Sequence, residues 1–198
     1  MDSELAPLLP LFSRERDAGR AMALGVLVHT AGSTYRKPGA MLLIAGDGEY
    51  AGLISGGCLE GDIGERARAV IATGRASRVT YDLRNSDDLI WGLGLGCEGA
   101  MHILLLRVGP QEAWQPLAHL AGALGALRPT AVGIVTESRE PGVPAGALLL
   151  PQAEVAPAAL LEPRVVAALA TAPASRAVGW LEGPEGRWKL ILLPLPLP

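Results

Sequence analysis

Cysteine and aromatic residues are scarce in this sequence of 198 residues, which holds two cysteines, one phenylalanine, three tyrosines and four tryptophans. Two thiols cannot build a disulfide framework, so each is read as a small core residue, a ligand or a nucleophile. Excess positive charge is missing as well: 17 basic against 20 acidic side chains leave a net charge of -3, with no run of Lys or Arg. That balance excludes nucleic acid and acidic lipid as expected partners, since both demand a basic footprint. Nowhere do roughly 18 uninterrupted apolar residues occur, as a membrane span would need. The N-terminus, MDSELAPLLPLFSRERDAGR, lacks the basic start and long apolar core of an export signal, so the reading is cytoplasmic.

What is present is apolar bulk, 49% of residues, with 25 glycines and 16 prolines. Such a chain can bury a substantial core. Residues 3 to 18 carry Leu and Ala at helical spacing, with Pro7 and Pro10 placing the helix proper at or after Pro10. Ala21–Val28 and Ala40–Ala45 are continuous apolar runs that read as buried strands, and Gly46-Asp-Gly48 turns the second into a hairpin with Tyr50–Ile54. Leu59, Ile63, Ala67, Val70 and Ile71 then recur at helical spacing, with Gly74 as a stop. Val79–Leu83 and Ala100–Val108 read as strands separated by a polar loop at 85–88 and a glycine-rich stretch at 91–99. The remainder alternates helix candidates, Glu112–Leu127 and Pro163–Ala172, with strand candidates, Thr130–Thr136, Ala145–Leu150, Ala177–Leu181 and Trp188–Leu193. The expectation is an α/β fold with a mixed, β-rich core and flanking helices. It divides into a motif-bearing region 1–110, a plainer α/β region 111–193 packed beside it or in the same domain, and residues 194–198, whose alternating proline and leucine read as a linker or a point where the chain is cut.

Both cysteines stand in glycine. Ser55-Gly56-Gly57-Cys58-Leu59-Glu60-Gly61-Asp62 puts Cys58 at a strand-to-helix turn. A thiol there meets the positive end of the helix dipole, which favours the thiolate. Gly56 and Gly57 let a ligand approach the backbone closely. Cys97 is surrounded by Gly92, Gly94, Gly96 and Gly99. Gly94-Leu-Gly96-Cys-Glu-Gly99 satisfies a dinucleotide-binding expression, but a polar loop precedes it and a β-like run follows, so that match is rejected. Zinc-finger spacing is absent, and His29, His102 and His119 read as ordinary strand or helix residues. Ser33, Thr34, Arg36 and Lys37 supply hydroxyls and cations suited to a phosphate or carboxylate, or else a solvated turn. Glu60 and Asp62 either orient a ligand or favour the first helical turn.

Taken together, GSTYRKPGAMLLIAGDG (32–48), GLISGGCLEGDI (52–63) and DDLIWGLGLGCEGAMHILLLRV (87–108) resemble the N-terminal domain of the XdhC/CoxI family, maturation factors of xanthine dehydrogenase and carbon monoxide dehydrogenase. Glu98 and Tyr35 depart from the residues usual there, and the Rossmann-type domain that usually follows is not found by Pro198. The resemblance implies a chaperone, not an enzyme, that binds molybdenum cofactor (molybdopterin), assists its sulfuration with a cysteine desulfurase and its insertion into an apo-molybdoenzyme. It implies cofactor contacts at Cys58, Cys97, Gly56, Gly57, Gly94, Gly96, Ser33, Arg36 and Glu60, with molybdenum touched only through the two cysteines. A homodimer is expected from the apolar excess. Two other readings stay open: a sulfur carrier holding a persulfide on Cys58, and a dimerisation module of a longer maturation factor.

Overall fold

The computed structural model describes residues 2–57, 59–82, 99–151 and 156–196. Its organisation follows from the two faces of a buried strand. Strand β1 (Met22–Gly32) is buried continuously from Met22 to Val28, because successive side chains enter different cores. Met22, Leu24, Val26 and Val28 point into one cluster, whereas Ala23 and Leu27 point into another. Around β1 assemble β2 (Met41–Ala45), β3 (Tyr50–Gly52), β4 (Ser77–Asp82) and β5 (Gly99–Val108), in the order β3-β2-β1-β5-β4 with antiparallel neighbours. A second antiparallel sheet contains β6 (Thr130–Ser138), β7 (Leu148–Leu149), β8 (Gly179–Glu182) and β9 (Trp188–Leu195), in the order β7-β6-β9-β8.

Helices cover the outer faces. After Gly52, helix α3 (Glu60–Thr73) lays Ile63, Ala67 and Val70 on the first sheet, against Leu42, Ile103 and Leu105. Helix α5 (Pro163–Ser175) lays Val165, Leu169 and Ala172 on the second, against Ala131, Val135, Leu190 and Leu192. The inner faces meet in a central cluster that joins Leu104 and Leu106 to Val132, Ile134, Ile191 and Leu193. The result is a four-layer sandwich of helix, sheet, sheet and helix, with the central cluster drawing on both sides of residue 110. Its margins are closed by α1 (Asp2–Leu5), α2 (Leu9–Asp17) and α4 (Leu117–Gly125), which contribute Leu5, Phe12, Leu117 and Leu120.

The expected α/β class with a β-rich core is what the chain forms. Boundaries shift where proline or tertiary pairing intervenes. Helical turns begin at Asp2, and a 3-10 turn over Ala6–Leu8 precedes α2, in which Pro10 stands in the first turn, where its missing N–H costs nothing. The helix expected over Glu112–Leu127 is shorter because Ala113 and Trp114 adopt positive φ and Pro116 takes the N-cap position. The strand expected over Ala145–Leu150 reduces to Leu148–Leu149. Most informative is the C-terminal run read as a linker from 194. Pro194 and Leu195 are strand, aligned with Ala131 and Thr130 of β6, and Leu195 is fully buried in the central cluster. Beyond Leu192, among the described residues, strand β9 is paired on the β6 side alone, so proline is tolerated. The polar loop at 85–88 and the glycine-rich stretch up to 98 lie outside the described residues.

Two outcomes follow for stability. Leu195→Ala costs about 2–5 kcal/mol in urea denaturation; a change near zero would restore the linker reading. Buried Glu15 accepts hydrogen bonds from Arg20 (Nε to Oε2, 2.7 Å) and Arg14 (Nε to Oε1, 2.9 Å). The Arg20 bond, opposed by burial and helped by Arg14, holds its carboxyl at about 2 against an ordinary 4.5. A lowered folded pKa stabilises above the unfolded value and is lost as pH falls through the folded one. Glu15→Gln therefore flattens the loss of stability between pH 4.5 and about 2, followed by circular dichroism in urea.

Candidate functional site

The turn that carries Ser55, Gly56 and Gly57 is built by one buried carboxylate. Strand β3 ends at Gly52, whose φ of +91° and approach to Met41 leave no room for a side chain: a Cβ would sit 2.4 Å from the Met41 carbonyl oxygen. Ile54 then plugs into the outer core and Ser55 is buried with it. From the first turn of α3, Glu60 reaches back. Its Oε1 accepts from the Ser55 and Ile54 backbone N–H groups (2.9 and 3.3 Å), and its Oε2 accepts from the Ser55 hydroxyl and the Leu59 N–H (3.2 Å). The Ser55 oxygen in turn accepts from Gly57 N–H (3.1 Å) and Leu59 N–H (3.2 Å). Burial pushes the Glu60 carboxyl up, but the bonds from Ser55, from its own backbone and from Ile54 outweigh it and hold the group below its ordinary range. Glu60 thus shapes the loop with a carboxylate only 3% exposed. Gly56 and Gly57 face outward, and among the described residues a Cβ on either would meet nothing within 4 Å; Gly57, at φ +102°, needs glycine for its backbone alone. Cys58 lies outside the described residues.

Helix α3 is anchored at both ends. Asp62 accepts from the Tyr81 hydroxyl of β4 (2.5 Å) and from Arg66 Nε (2.9 Å), and these bonds hold its carboxyl below the ordinary range. Burial first, and then Asp62, push the Tyr81 hydroxyl well up. At the far end Arg107 of β5 reaches the Ile71 carbonyl, and Gly74 closes the helix at φ +70°. The start of α3 therefore sits at the end of the first sheet where β4 finishes and β5 begins.

That same end receives Gly99, the described residue of the other motif. Strand pairing sets Gly32 opposite Gly99, and Asp82 opposite Ala100. A Cβ on Gly99 would lie 2.5 Å from the Ser33 carbonyl oxygen and 2.8 Å from that of Ala31, so only glycine admits this approach. The described flanks of both glycine motifs, Leu59–Asp62 on one side and Asp82 and Gly99 on the other, thus converge with exposed Ser33 on one end of one sheet. Gly94, Gly96 and Cys97 lie outside the described residues. Arg36 stands further along the loop and pairs with Glu4 of α1. Among the described residues no three His, Cys, Asp or Glu side chains gather as a metal site, and no helix is long and apolar enough to cross a membrane.

Sequence reasoning missed a second feature. A cleft of ≈ 660 Å³ opens between the sheets, lined by His29, Arg78, His102, Glu137, Trp180 and Lys189 among others. His29 and His102 pair across β1 and β5 with ring centroids 5.3 Å apart, and Thr80 Oγ1 lies 3.1 Å from His102 Nδ1. Burial first, then His29 and Arg78, keep His102 below its ordinary pKa. Register shifts after Leu27 and after Val135 place the cleft-lining Val28 and Thr136. No single stretch carries this pattern, because six strands each contribute one to three residues.

Fold and site together define a helix-flanked double-sheet domain that gathers glycine-motif flanks at one end of its first sheet. Residues 15–82 match the model of the XdhC and CoxI family. It is 41% identical over 89 residues to a probable xanthine dehydrogenase subunit of Bacillus subtilis, covering 45% of this chain and 27% of that protein. It is 27% identical over 113 residues to the molybdenum cofactor insertion chaperone PaoD of Escherichia coli, covering 57% and 33% respectively. A crystal structure of a xanthine dehydrogenase from Bacillus halodurans matches with a TM-score of 0.59 and 33% identity, over 73% of this chain and 42% of that one. The chain thus spans about a third of the length of the curated relatives it matches.

Glu60→Gln tests the loop's organiser. It should cost about 1–3 kcal/mol at pH 7, because buried N–H donors lose a charged acceptor. The cost shrinks as pH falls through the lowered folded pKa, since protonation removes the same charge from the native protein. Urea titrations at pH 7 and pH 3 measure it; an unchanged gap contradicts the assignment.

Proposed function

We propose that this chain is a molybdenum-cofactor chaperone that serves a molybdoenzyme of the xanthine dehydrogenase class. It binds the cofactor as cargo, assists addition of the terminal sulfido ligand with a cysteine desulfurase, and supports insertion into the apo-enzyme. The observation that carries this reading is the convergence of Ser33, the Gly99 flank and the Glu60-shaped loop on one end of one sheet. The match of residues 15–82 to the XdhC and CoxI family model and likeness to an insertion chaperone support it.

Each residue has a role in this reading. Cys58 and Cys97 offer soft thiolates to molybdenum. Gly56, Gly57, Gly94 and Gly96 offer backbone N–H groups and room for close approach. Ser33 and Arg36 meet the pterin or its phosphate. Glu60 acts as a positioning residue, holding Gly57 and Leu59 through Ser55 and its own carboxylate. Among the described residues nothing crowds Gly56 and Gly57, which suits a cargo that must enter and leave. Chemistry at carbon or phosphorus is not needed for any of this, so the chain works as a maturation factor in the cytoplasm, as a homodimer.

Anaerobic co-purification tests the reading, with molybdenum content and pterin fluorescence as readouts. Wild type carries cofactor; Cys58→Ser and Cys97→Ser each lose it. Gly56→Ala, at a position with open space, folds normally and binds more weakly. Retention of cofactor by both cysteine variants overturns the site, and absence of cofactor from wild type overturns the function.

A further inference from the structure

This acidic chain carries a conspicuously basic cleft. It encloses ≈ 510 Å³ and is lined by Arg36, Lys37, Arg176, Tyr35 and Glu4, with Gly39 at its floor. Among the described residues three cations thus line it beside one carboxylate, in a protein whose net charge is -3. They come from distant segments: Arg36 and Lys37 follow β1, while Arg176 closes α5.

Gly39 is what brings them together. It has φ +96°, and a Cβ there would lie 2.7 Å from Val178 Cγ2, so the loop is pressed onto the segment that carries Arg176. The loop is also preorganised. Gly39 N–H donates to the Leu27 carbonyl (2.8 Å), Leu27 N–H to the Ala40 carbonyl (2.9 Å) and Ala40 N–H to the Lys37 carbonyl (3.2 Å), while the Thr34 hydroxyl donates to the Arg36 carbonyl (2.9 Å). Cations on such a frame lose little entropy when they bind an anion. Arg176 adopts φ +57° at the C-cap of α5, where glycine is the cheaper residue. A guanidinium is thereby set on the wall of the cleft. Opposite it, Glu4 of α1 already pairs with Arg36, the two side chains 21% and 28% exposed. A carboxylate from the chain itself occupies the place an anionic ligand would take.

We propose that this cleft binds the phosphate group of a small phosphorylated molecule through Arg36, Lys37 and Arg176, and that the phosphate displaces Glu4 from Arg36. Phosphate carries more charge than a carboxylate and accepts two parallel bonds from a guanidinium, so it outcompetes the internal partner. Tyr35, 61% exposed at the rim, offers an aromatic face to a planar group attached to that phosphate. The identity of the phosphate's carrier rests on the chaperone reading, but the anion site itself does not.

Isothermal titration of the full chain with pyrophosphate, and separately with GMP, tests it without molybdenum cofactor. Wild type binds both, and binding weakens as NaCl is raised. Lys37→Ala and Arg176→Ala each weaken binding by roughly fivefold, the scale of one partly exposed charge contact. Glu4→Gln tightens it, because the internal competitor is gone. GMP binds more tightly than pyrophosphate only while Tyr35 is present, and Tyr35→Ala removes that advantage. No binding by wild type overturns the site, as does equal binding by Lys37→Ala and Arg176→Ala. An unchanged or weaker Glu4→Gln overturns the displacement. A chain that binds pyrophosphate yet carries no molybdenum cofactor keeps this site and loses the chaperone reading; the opposite result keeps the chaperone and loses the site.

Discussion

Antiparallel pairing of β1 with β5 is the constraint on which the rest of this molecule depends. The two strands run together from Met22 opposite Val108 to Gly32 opposite Gly99. Because both are central, their alternating side chains divide the apolar residues between two cores, one under α3 and one against the second sheet. The register at that end then decides that the close of β1 at Gly32 lies beside the start of β5 at Gly99. A slip of one residue would exchange the faces of every side chain on these strands, so burial on both sides fixes the register firmly. The start of the loop after β1 and the start of β5 at Gly99 lie side by side as a direct consequence.

On that end a second, smaller constraint acts. A buried carboxylate is unfavourable unless its oxygens are satisfied, and Glu60 is acceptable here because Ser55, Ile54 and Leu59 satisfy both. Hydrogen bonding therefore wins over desolvation, and the net lowered pKa is its signature. The gain is geometric. Backbone at Gly57 is held in a conformation that few side chains allow, with no described residue against its outer surface. Around the corner, Gly39 plays an analogous part by pressing the Arg36–Lys37 loop against Val178. Glycine in this protein thus marks close approach at Gly52, Gly99 and Gly39, and exposure at Gly56.

Much of this was legible in the residues. Apolar runs gave β1, β2 and β5, the 46–48 turn gave the β2–β3 hairpin, and helical spacing from Leu59 with Gly74 as a stop gave α3 almost to the residue. These elements are strongly periodic and locally specified. What could not be read depended on partners distant in the chain. Pro194 and Leu195 look like linker because proline and leucine alternate, yet pairing with Ala131 and Thr130 makes them strand. Glu60 looked like a ligand or a dipole complement, whereas its carboxylate turns inward to the loop. Arg36 gave no hint of Glu4, which lies 32 positions earlier, and the cleft with His29 and His102 needs six strands to exist. Of the three stretches that carry the resemblance, 32–48 and 52–63 lie within the family match at 15–82, and 87–108 lies beyond it.

We propose that Cys58 and Cys97 serve one site at the end of the first sheet where β1 pairs with β5. Cross-linking tests this most directly. Dilute, reduced protein is treated with a short bis-maleimide, digested, and analysed by mass spectrometry beside the Glu60→Gln variant. The account predicts an intramolecular peptide pair joining Cys58 to Cys97 in wild type, and a lower yield when Glu60 no longer orders the loop. Modification of each cysteine by a separate reagent molecule, with no joined pair, would contradict it.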